Sequence, residues 1–204
     1  MIDNKDHIKS MLNFDKPGDF YQLFVFLRKK DQTTNKANHQ SVRTIKSYCV
    51  TSVEYLEQRY EEIKMLCEVF KARAYIHVSK QNHMDVGLNM ITEIVTRIQS
   101  GQINQKNVFD SVVGQLKTHE SRWIVDVDVP FKENPLYWLE VATFIDEELR
   151  PEGKKCGKII PTKNGCHIIT KRFDVMEFKK KYPNIDIQKK NPTLLYYPDS
   201  LDAN

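Results

Sequence analysis

The chain lacks several features that would restrict where and how it works. No apolar run reaches the ~20 residues that a membrane-spanning helix needs. The first residues, Met1 to Asp6, are polar and acidic, and no apolar signal core follows them. Internal repeats and low-complexity segments are also absent. We therefore expect a cytoplasmic protein without a membrane partner.

Cysteine is scarce, with four residues in a chain of 204 and no C-x-x-C pair. Their spacing does not suggest a disulfide framework. Cys156, Cys166 and His167 together could form part of a zinc site. The spacing suggests no fourth ligand, and Cys166 is expected to lie in a strand, so zinc is the weaker interpretation.

The overall composition is that of an ordinary globular protein. Hydrophobic residues make up 40% and charged residues 28% of the chain, which fits one large domain or two small units that share a core. The formal net charge of +4 permits contact with nucleotides or nucleic acid without requiring it. Lysine and arginine are concentrated in the last quarter of the chain. The simpler interpretation of this basic cluster is a solvated surface.

The first 120 residues read as a mixture of strands and helices. Residues 1–19 look like a loosely held lead-in. Aromatic and β-branched residues predict strands at 19–28 and 42–50, joined as a hairpin by the polar loop 29–40. Three- and four-residue spacing of apolar positions predicts a helix after a capping box with Thr51 at the cap. A strand at 72–79 and two further helices, at 88–98 and at about 104–116, complete this part of the chain.

The stretch Arg122-Trp123-Ile124-Val125-Asp126-Val127-Asp128 combines an apolar run with two carboxylates. Such a run is typical of a buried strand. Residues two apart on a strand share a face, so Asp126 and Asp128 should stand side by side at its exit. Two carboxylates at this distance repel each other, and a magnesium or manganese ion would relieve the repulsion. Alternatively, the two carboxylates are solvated or cap the next turn.

The order of elements after residue 122 predicts where this strand lies. Strand, helix, strand, strand, helix and strand follow one another, which is the split βαβ or ferredoxin-like order. Asn164-Gly165 is a strong hairpin signal between the second and third strands, and Pro192 predicts that the last strand, within 184–197, is broken or at an edge. In this order the first and third strands are central neighbours. Asp126 and Asp128 should therefore lie near His167, with Lys163 close by.

These residues resemble the motifs of the archaeo-eukaryotic primase superfamily, the primase-polymerases. The family's D-x-D motif corresponds to Asp126-Val127-Asp128, its S-x-H motif to Gly165-Cys166-His167, and its lone aspartate to Asp186. Gly165 stands where the family often has serine. The resemblance implies one primase-polymerase-like domain of class α+β, in which an N-terminal α/β unit (1–120) packs on a C-terminal ferredoxin- or RRM-like βαββαβ unit (121–204).

The resemblance also implies a chemistry. Asp126, Asp128 and Asp186 would hold Mg²⁺ or Mn²⁺, while His167, Lys163 and Lys171 would contact a nucleoside triphosphate. The expected function is a metal-dependent nucleotidyltransferase that adds nucleotides to a 3′-hydroxyl of single-stranded or primed nucleic acid. Residues 159–170 also look like proteins of large bacteriophages, which suggests a replication or host protein as a further partner.

The sequence also allows other site residues and other functions. Asp174 competes with Asp186 as the third carboxylate, although a helix cap explains it better. His77 and Ser79 could line the same cleft, and Tyr196 or Tyr197 could stack on bases. The same carboxylates would serve a metal-dependent nuclease or phosphodiesterase. A non-catalytic nucleic-acid-binding module or an inhibitor of a host enzyme would also fit the predicted fold.

Overall fold

The computed structural model describes residues 1–28, 42–102, 107–116, 121–129, 134 and 136–201. Over these ranges the chain forms two antiparallel sheets and six α-helices. The predicted α+β class is therefore confirmed. None of the helices in these ranges is long and apolar enough to span a membrane.

The predicted helices are present with shifted ends. The helix predicted at 88–98 spans His83–Gln99, and the one predicted at about 104–116 spans Val108–Gln115, while residues 103–106 lie outside the described part of the chain. The helix after the predicted capping box begins one residue later than expected, because the side chain of Ser52, not of Thr51, accepts the N–H of Tyr55. Asp174 caps the last helix by accepting the N–H groups of Met176 and Glu177. The six helices are α1 (Lys5–Lys9), α2 (Val53–Phe70), α3 (His83–Gln99), α4 (Val108–Gln115), α5 (Tyr137–Glu147) and α6 (Val175–Lys181).

The strands divide between two sheets. The first sheet contains β1 (Ile2–Asp3), β2 (Asp19–Leu27), β3 (Arg43–Val50), β4 (Arg73–His77), β5 (Gln81–Asn82) and β10 (Pro192–Tyr197). Its order is β1-β10-β4-β2-β3, with β5 paired to β2. The predicted pairing of β2 with β3 is confirmed as antiparallel, while the loop predicted between them, at 29–40, lies outside the described residues.

The second sheet carries the paired aspartates. It consists of β6 (Trp123–Val127), β7 (Cys156–Pro161), β8 (Cys166–Thr170) and β9 (Asp186–Gln188), in the order β7-β8-β6-β9. Strand β6 pairs antiparallel with both β8 and β9, so the predicted central pairing is confirmed. The Asn164-Gly165 turn joins β7 to β8, and Thr162 N–H donates to the carbonyl of Gly165 at 2.9 Å.

The last strand crosses from one sheet to the other. The predicted break is present, since β9 ends at Gln188 and β10 begins at Pro192. Strand β10 then pairs with β1 and β4 in the first sheet. Pro192 occupies the first position of its strand, where the missing N–H is tolerated. The C-terminal segment thus completes the sheet that the N-terminal residues begin.

The prediction of a loose lead-in over residues 1–19 is wrong. Ile8 and Asn4 are buried, with exposed fractions of 0% and 1%. The Asn4 side chain donates to the carbonyls of Pro161, in the second sheet, and of Leu194, in the first. The segment is too short for a clear hydrophobic period, but burial of Ile8 and these hydrogen bonds fix it between the two sheets.

The two faces of β6 pack against different hydrophobic cores. Val125 and Val127 belong to a core with α5 and α6. Ile124 belongs instead to the core that α1 and α2 share with the first sheet. Because side chains alternate along a strand, Asp126 and Asp128 lie on the same face as Ile124. The acidic pair therefore faces the junction between the two sheets.

Candidate functional site

Asp126 lies in register between two neighbouring strands. Its cross-strand partners are His167 on β8 and Asp186 on β9. His167 Nε2 lies 3.4 Å from Asp126 Oδ1, and the amide of Gln188 donates to Asp126 Oδ2 at 3.0 Å. Asp126 is partly buried, while Asp128, just past the strand end, is exposed. The expected proximity of the acids and the imidazole is thus present in the structure.

His167 is held by a residue of the other sheet. It is only 8% exposed, and its Nδ1 lies 2.8 Å from the hydroxyl of Thr193 on β10, which is fully buried. The Asp126 carboxylate faces Nε2 and is an acceptor, so the neutral imidazole that fits both contacts carries its proton on Nε2. Its Nδ1 then accepts a hydrogen bond from the Thr193 hydroxyl. This arrangement directs an N–H donor toward the acidic pair.

The turn that carries Lys163 packs tightly against the exit of β6. A Cβ built on Gly165 would lie 1.9 Å from the carbonyl oxygen of Val127 and 2.9 Å from the backbone nitrogen of Val129. A serine at position 165, as in the family motif, therefore does not fit here without a backbone shift. The glycine brings the turn, and with it Lys163, next to the two aspartates.

The first sheet contributes residues that the sequence did not single out. Arg28 follows β2, and its guanidinium donates to the Tyr75 hydroxyl at 3.4 Å. Arg73, on β4, lies 4.6 Å from the centre of the Tyr197 ring. Lys163 donates to the Tyr197 hydroxyl at 3.0 Å and lies 5.2 Å from the same ring. Tyr197 thus contacts two cationic side chains. The only local sequence signal for Arg73 is a charged residue inside an apolar strand.

These groups converge on one cavity of about 170 Å³. Three cationic and two acidic side chains face it, which leaves a formal surplus of one positive charge. Both sheets contribute to the walls, and polar side chains predominate. The lining residues are Arg28, Arg73, Tyr75, Asp126, Asp128, Thr162, Lys163, Asn164, His167, Leu194 and Tyr197.

Two predicted site residues lie outside this cavity. Asp186 is directly opposite Asp126 on β9, but it is exposed and accepts the N–H of Ile187. Lys171 follows the far end of β8, four residues beyond His167, which corresponds to roughly 13 Å along an extended strand. The structure therefore brings together Asp126, Asp128, His167 and Lys163, and it leaves Asp186 at the edge and Lys171 apart.

The side chains available as metal ligands determine whether a divalent cation fits this cavity. Among the described residues, no group of three or more His, Cys, Asp or Glu side chains is arranged to hold a metal. Asp126 and Asp128 nevertheless offer two carboxylates to one cavity. Magnesium is usually bound through one or two carboxylates together with substrate phosphates. The residues thus fit a cation that arrives with a phosphate ligand, and not one held by the protein alone.

The cysteines do not form a zinc site in the described part of the chain. Cys156 and Cys166 are both buried free thiols. Burial, with a smaller contribution from Asp126, raises the pKa of Cys166 to about 12. A thiol that stays protonated at neutral pH is a poor zinc ligand.

The other candidate residues lie in different surroundings from one another. His77 and Ser79 line a different cavity, of about 240 Å³, that includes Trp123 and Lys189. Burial lowers the pKa of His77 to about 4. Tyr196 is buried and donates its hydroxyl to Glu68, whereas Tyr197 lines the cavity with the aspartates.

Comparison of the chain with protein-family models, curated proteins and solved structures finds no match.

Proposed function

We propose that the cavity between the two sheets binds the phosphates of a nucleoside triphosphate and that the chain is a metal-dependent nucleotidyltransferase. One observation carries the proposal: Asp126 and Asp128 share a cavity with His167 and with cations from both sheets. The order of strands in the second sheet agrees with a ferredoxin-like unit. The resemblance of the D-x-D and G-x-H motifs to those of the primase-polymerases supports the same class.

The size of the cavity limits what it holds. At about 170 Å³ it is smaller than the ~300 Å³ or more of sites that enclose a drug-sized ligand. We therefore place the phosphates inside the cavity and the sugar and base at its mouth. Arg28, Arg73 and Lys163 would bind phosphate oxygens, since guanidinium and ammonium groups form strong charge-assisted hydrogen bonds with them.

The acidic pair would act through a divalent cation. When bound, magnesium or manganese would neutralise phosphate charge and lower the pKa of an attacking 3′-hydroxyl. Asp126 and Asp128 would hold the ion against the phosphates, and Asp186 would approach it only if its exposed side chain turned toward Asp126. The Nε2–H of His167 would donate to a phosphate oxygen or orient Asp126.

A first experiment measures triphosphate binding by isothermal titration calorimetry. We expect a triphosphate to bind with Mn²⁺ present and to lose at least tenfold in affinity with chelator. Mn²⁺ alone should bind weakly, because two carboxylates without phosphate give it too few ligands. Lys163→Ala should weaken triphosphate binding about tenfold or more. Lys171→Ala removes the same charge outside the cavity and is the matched control.

A second experiment measures chemistry on a primed nucleic-acid strand. Asp126→Asn combined with Asp128→Asn should abolish manganese-dependent incorporation of nucleotides while the circular dichroism spectrum stays unchanged. Asp85→Asn, on the exposed surface of α3, should incorporate as the parent does. If the double variant incorporates nucleotides as fast as the parent, the site is wrongly assigned. Hydrolysis of the strand without triphosphate binding would favour the nuclease alternative.

One observation favours a second candidate, a phosphate- or nucleotide-binding module without catalysis. Both oxygens of Asp126 already face protein groups, His167 and Gln188. In such a module the acids would orient basic and amide groups and would not bind a metal. Triphosphate binding that is equally tight with chelator, together with no incorporation by the parent, would identify this function.

A further inference from the structure

A second cavity, of about 240 Å³, is lined by the same strands as the cavity with the aspartates, but by residues farther along them. On β4, His77 lines the second cavity and Arg73 lines the first. On β6, Trp123 lines the second cavity and Asp126 lines the first. Four residues separate the first pair and three the second, which corresponds to roughly 10–13 Å along the strands. The two cavities are therefore separate sites.

Positive charge dominates the second cavity, which we call the basic cavity. The exposed side chains of Arg172, Lys189 and Lys190 line it, and no aspartate or glutamate is among the described residues of its walls. The cavity with the aspartates, by contrast, combines three cations with two acids. No salt bridge joins the three basic side chains to a carboxylate in the described ranges. Three positive charges without a compensating acid favour an anionic ligand.

The crossover from β9 to β10 holds two of these cations in place. Its three residues, 189–191, all line the basic cavity. Strand β9 pairs with β6 in one sheet, and β10 pairs with β4 in the other, so both ends of the crossover are fixed by strand pairing. Lys190 also donates to the carbonyl of Gln115 at 2.9 Å. The fold thus positions these lysines at the cavity, unlike a run of charge on a solvated surface.

The walls also offer an aromatic ring and neutral polar groups. Lys189 Nζ lies 5.0 Å from the centre of the Trp123 ring. Burial lowers the pKa of His77 to about 4, so its ring is neutral and offers one donor and one acceptor, and no described residue hydrogen-bonds to it. Gln81 is 7% exposed, and its amide nitrogen donates to the carbonyl of Val113. A flat ligand with polar edges fits this combination better than an alkyl chain does.

We propose that the basic cavity is a second nucleotide site, which needs no metal and holds a base and its phosphate. The three cations bind phosphate oxygens through charge-assisted hydrogen bonds. The base lies against Trp123 with a polar edge toward His77, and Lys189 exchanges the ring for a phosphate oxygen when the base stacks. Aromatic stacking beside positive charge is a recurring way for proteins to hold unpaired nucleotides.

The size of the basic cavity limits how much of the ligand it encloses. At about 240 Å³ it is smaller than the ~300 Å³ or more of sites that enclose a drug-sized ligand. It therefore takes the base and leaves the phosphate at the rim, where the exposed cations lie. The nucleotide is either free or one unit of a single strand. Since three cations cover more than one phosphate, we expect the strand to bind more tightly.

Fluorescence anisotropy of labelled octathymidylate tests the contribution of the cations. Arg172→Gln combined with Lys189→Gln should weaken binding at least tenfold and reduce the slope of log affinity against log salt by about 1.4, or roughly 0.7 for each lost phosphate contact. Lys154→Gln combined with Lys158→Gln removes the same charge at exposed positions outside both cavities and should bind as the parent does.

The same assay separates this site from the metal-dependent one. Chelator should leave octathymidylate affinity unchanged, and so should Asp126→Asn combined with Asp128→Asn. Loss of nucleotide incorporation in that acidic double variant therefore leaves the basic cavity untouched. Parental affinity in the Arg172→Gln, Lys189→Gln variant would overturn the proposal.

Tryptophan fluorescence tests where the base lies. In Trp138→Phe, Trp123 is the only tryptophan, and octathymidylate should quench its emission. Thymidine monophosphate should need at least about tenfold higher concentration, because it brings one phosphate to three cations. Equal potency would identify a free nucleotide as the ligand. Octaglutamate carries a similar charge without bases. Displacement of the octamer by octaglutamate at equal concentration, or unquenched Trp123 emission at saturation, would refute nucleotide binding at this cavity.

Discussion

At the scale of single residues, Gly165 decides how close the turn lies to the acidic strand. Its hydrogen faces the carbonyl oxygen of Val127, where an added Cβ would lie at 1.9 Å. The contacted atoms are backbone, so they cannot move aside by a rotamer change. The absence of serine at this position, a departure from the family motif, therefore has a steric cause.

Gly165→Ala should lower the free energy of unfolding by about 3 kcal/mol or displace the turn, because the new methyl group overpacks against β6. Urea denaturation measures the loss. Gly114→Ala is the matched control: it lies in α4 with nothing within 4 Å of the added Cβ, and it should be neutral or stabilising by up to ~1 kcal/mol. Equal stability of the two variants would contradict the close contact.

Lys155 is a second residue whose role depends on burial. The residue is only 4% exposed, and its ammonium group donates to the carbonyls of Asp146, Pro151 and Gly153 at 2.7–3.0 Å. Burial alone would raise the pKa of the Asp146 carboxyl, but the backbone N–H groups of Cys156 and Lys155 hold that pKa below its ordinary value. The cluster ties the end of α5 to the start of β7.

Lys155→Met should reduce the free energy of unfolding by about 2–4 kcal/mol, since three backbone carbonyls lose the charged donor that this buried residue supplies. The exposed neighbour Lys154 provides the control. Lys154→Met should change the free energy of unfolding by less than ~0.5 kcal/mol. Thermal unfolding of both variants measures the difference in stability. A Lys155→Met protein as stable as the parent would mean that water satisfies the carbonyls.

At the scale of elements, the site depends on β10 lying beside the second sheet. The Thr193 hydroxyl reaches across from β10 to His167 Nδ1, and this contact orients the imidazole toward Asp126. The interaction joins residues 26 positions apart in different sheets. A strand that completes one sheet thus positions a side chain of the other.

Thr193→Val keeps the shape of the side chain and removes the hydroxyl. We expect triphosphate affinity to fall about tenfold, because the His167 ring loses the group that fixes its orientation. Nitrogen-15 NMR of the histidine side chains should show the proton on Nε2 in the parent and a mixture of tautomers in Thr193→Val. Thr193→Ser should behave as the parent. An unchanged His167 spectrum in Thr193→Val would exclude this positioning role, whatever happens to triphosphate binding.

Elements with a local signature could be predicted from the sequence. The apolar run before Asp126, the Asn164-Gly165 turn and the cap at Asp174 depend on residues close together in the chain, and the structure has all three. The crossover of β10 has no such signature, because its pairing with β1 joins residues nearly 200 positions apart. For the same reason the sequence did not show that Arg28 and Arg73 face the aspartates.

At the scale of the whole molecule, the two sheets share a core, and a half-buried histidine lies beside it. His77 ends β4 and packs against the ring of Phe24, with ring centroids 5.7 Å apart. Burial lowers its pKa to about 4, from an ordinary value of 6.5. The folded protein therefore keeps this ring neutral in a pH range where the unfolded chain protonates it.

The sign of the resulting pH dependence follows from proton uptake. Between pH 6.5 and 4 the unfolded chain binds a proton at His77 that the folded chain does not, so the free energy of unfolding falls as the pH falls and levels off below about 4. The loss attributable to this residue approaches roughly 3 kcal/mol. His77→Phe keeps the aromatic contact with Phe24 and removes the titrating group. Urea denaturation from pH 7 to 4 should show a shallower decline for His77→Phe, while parallel curves would mean that His77 is protonated in the folded state as readily as in the unfolded chain.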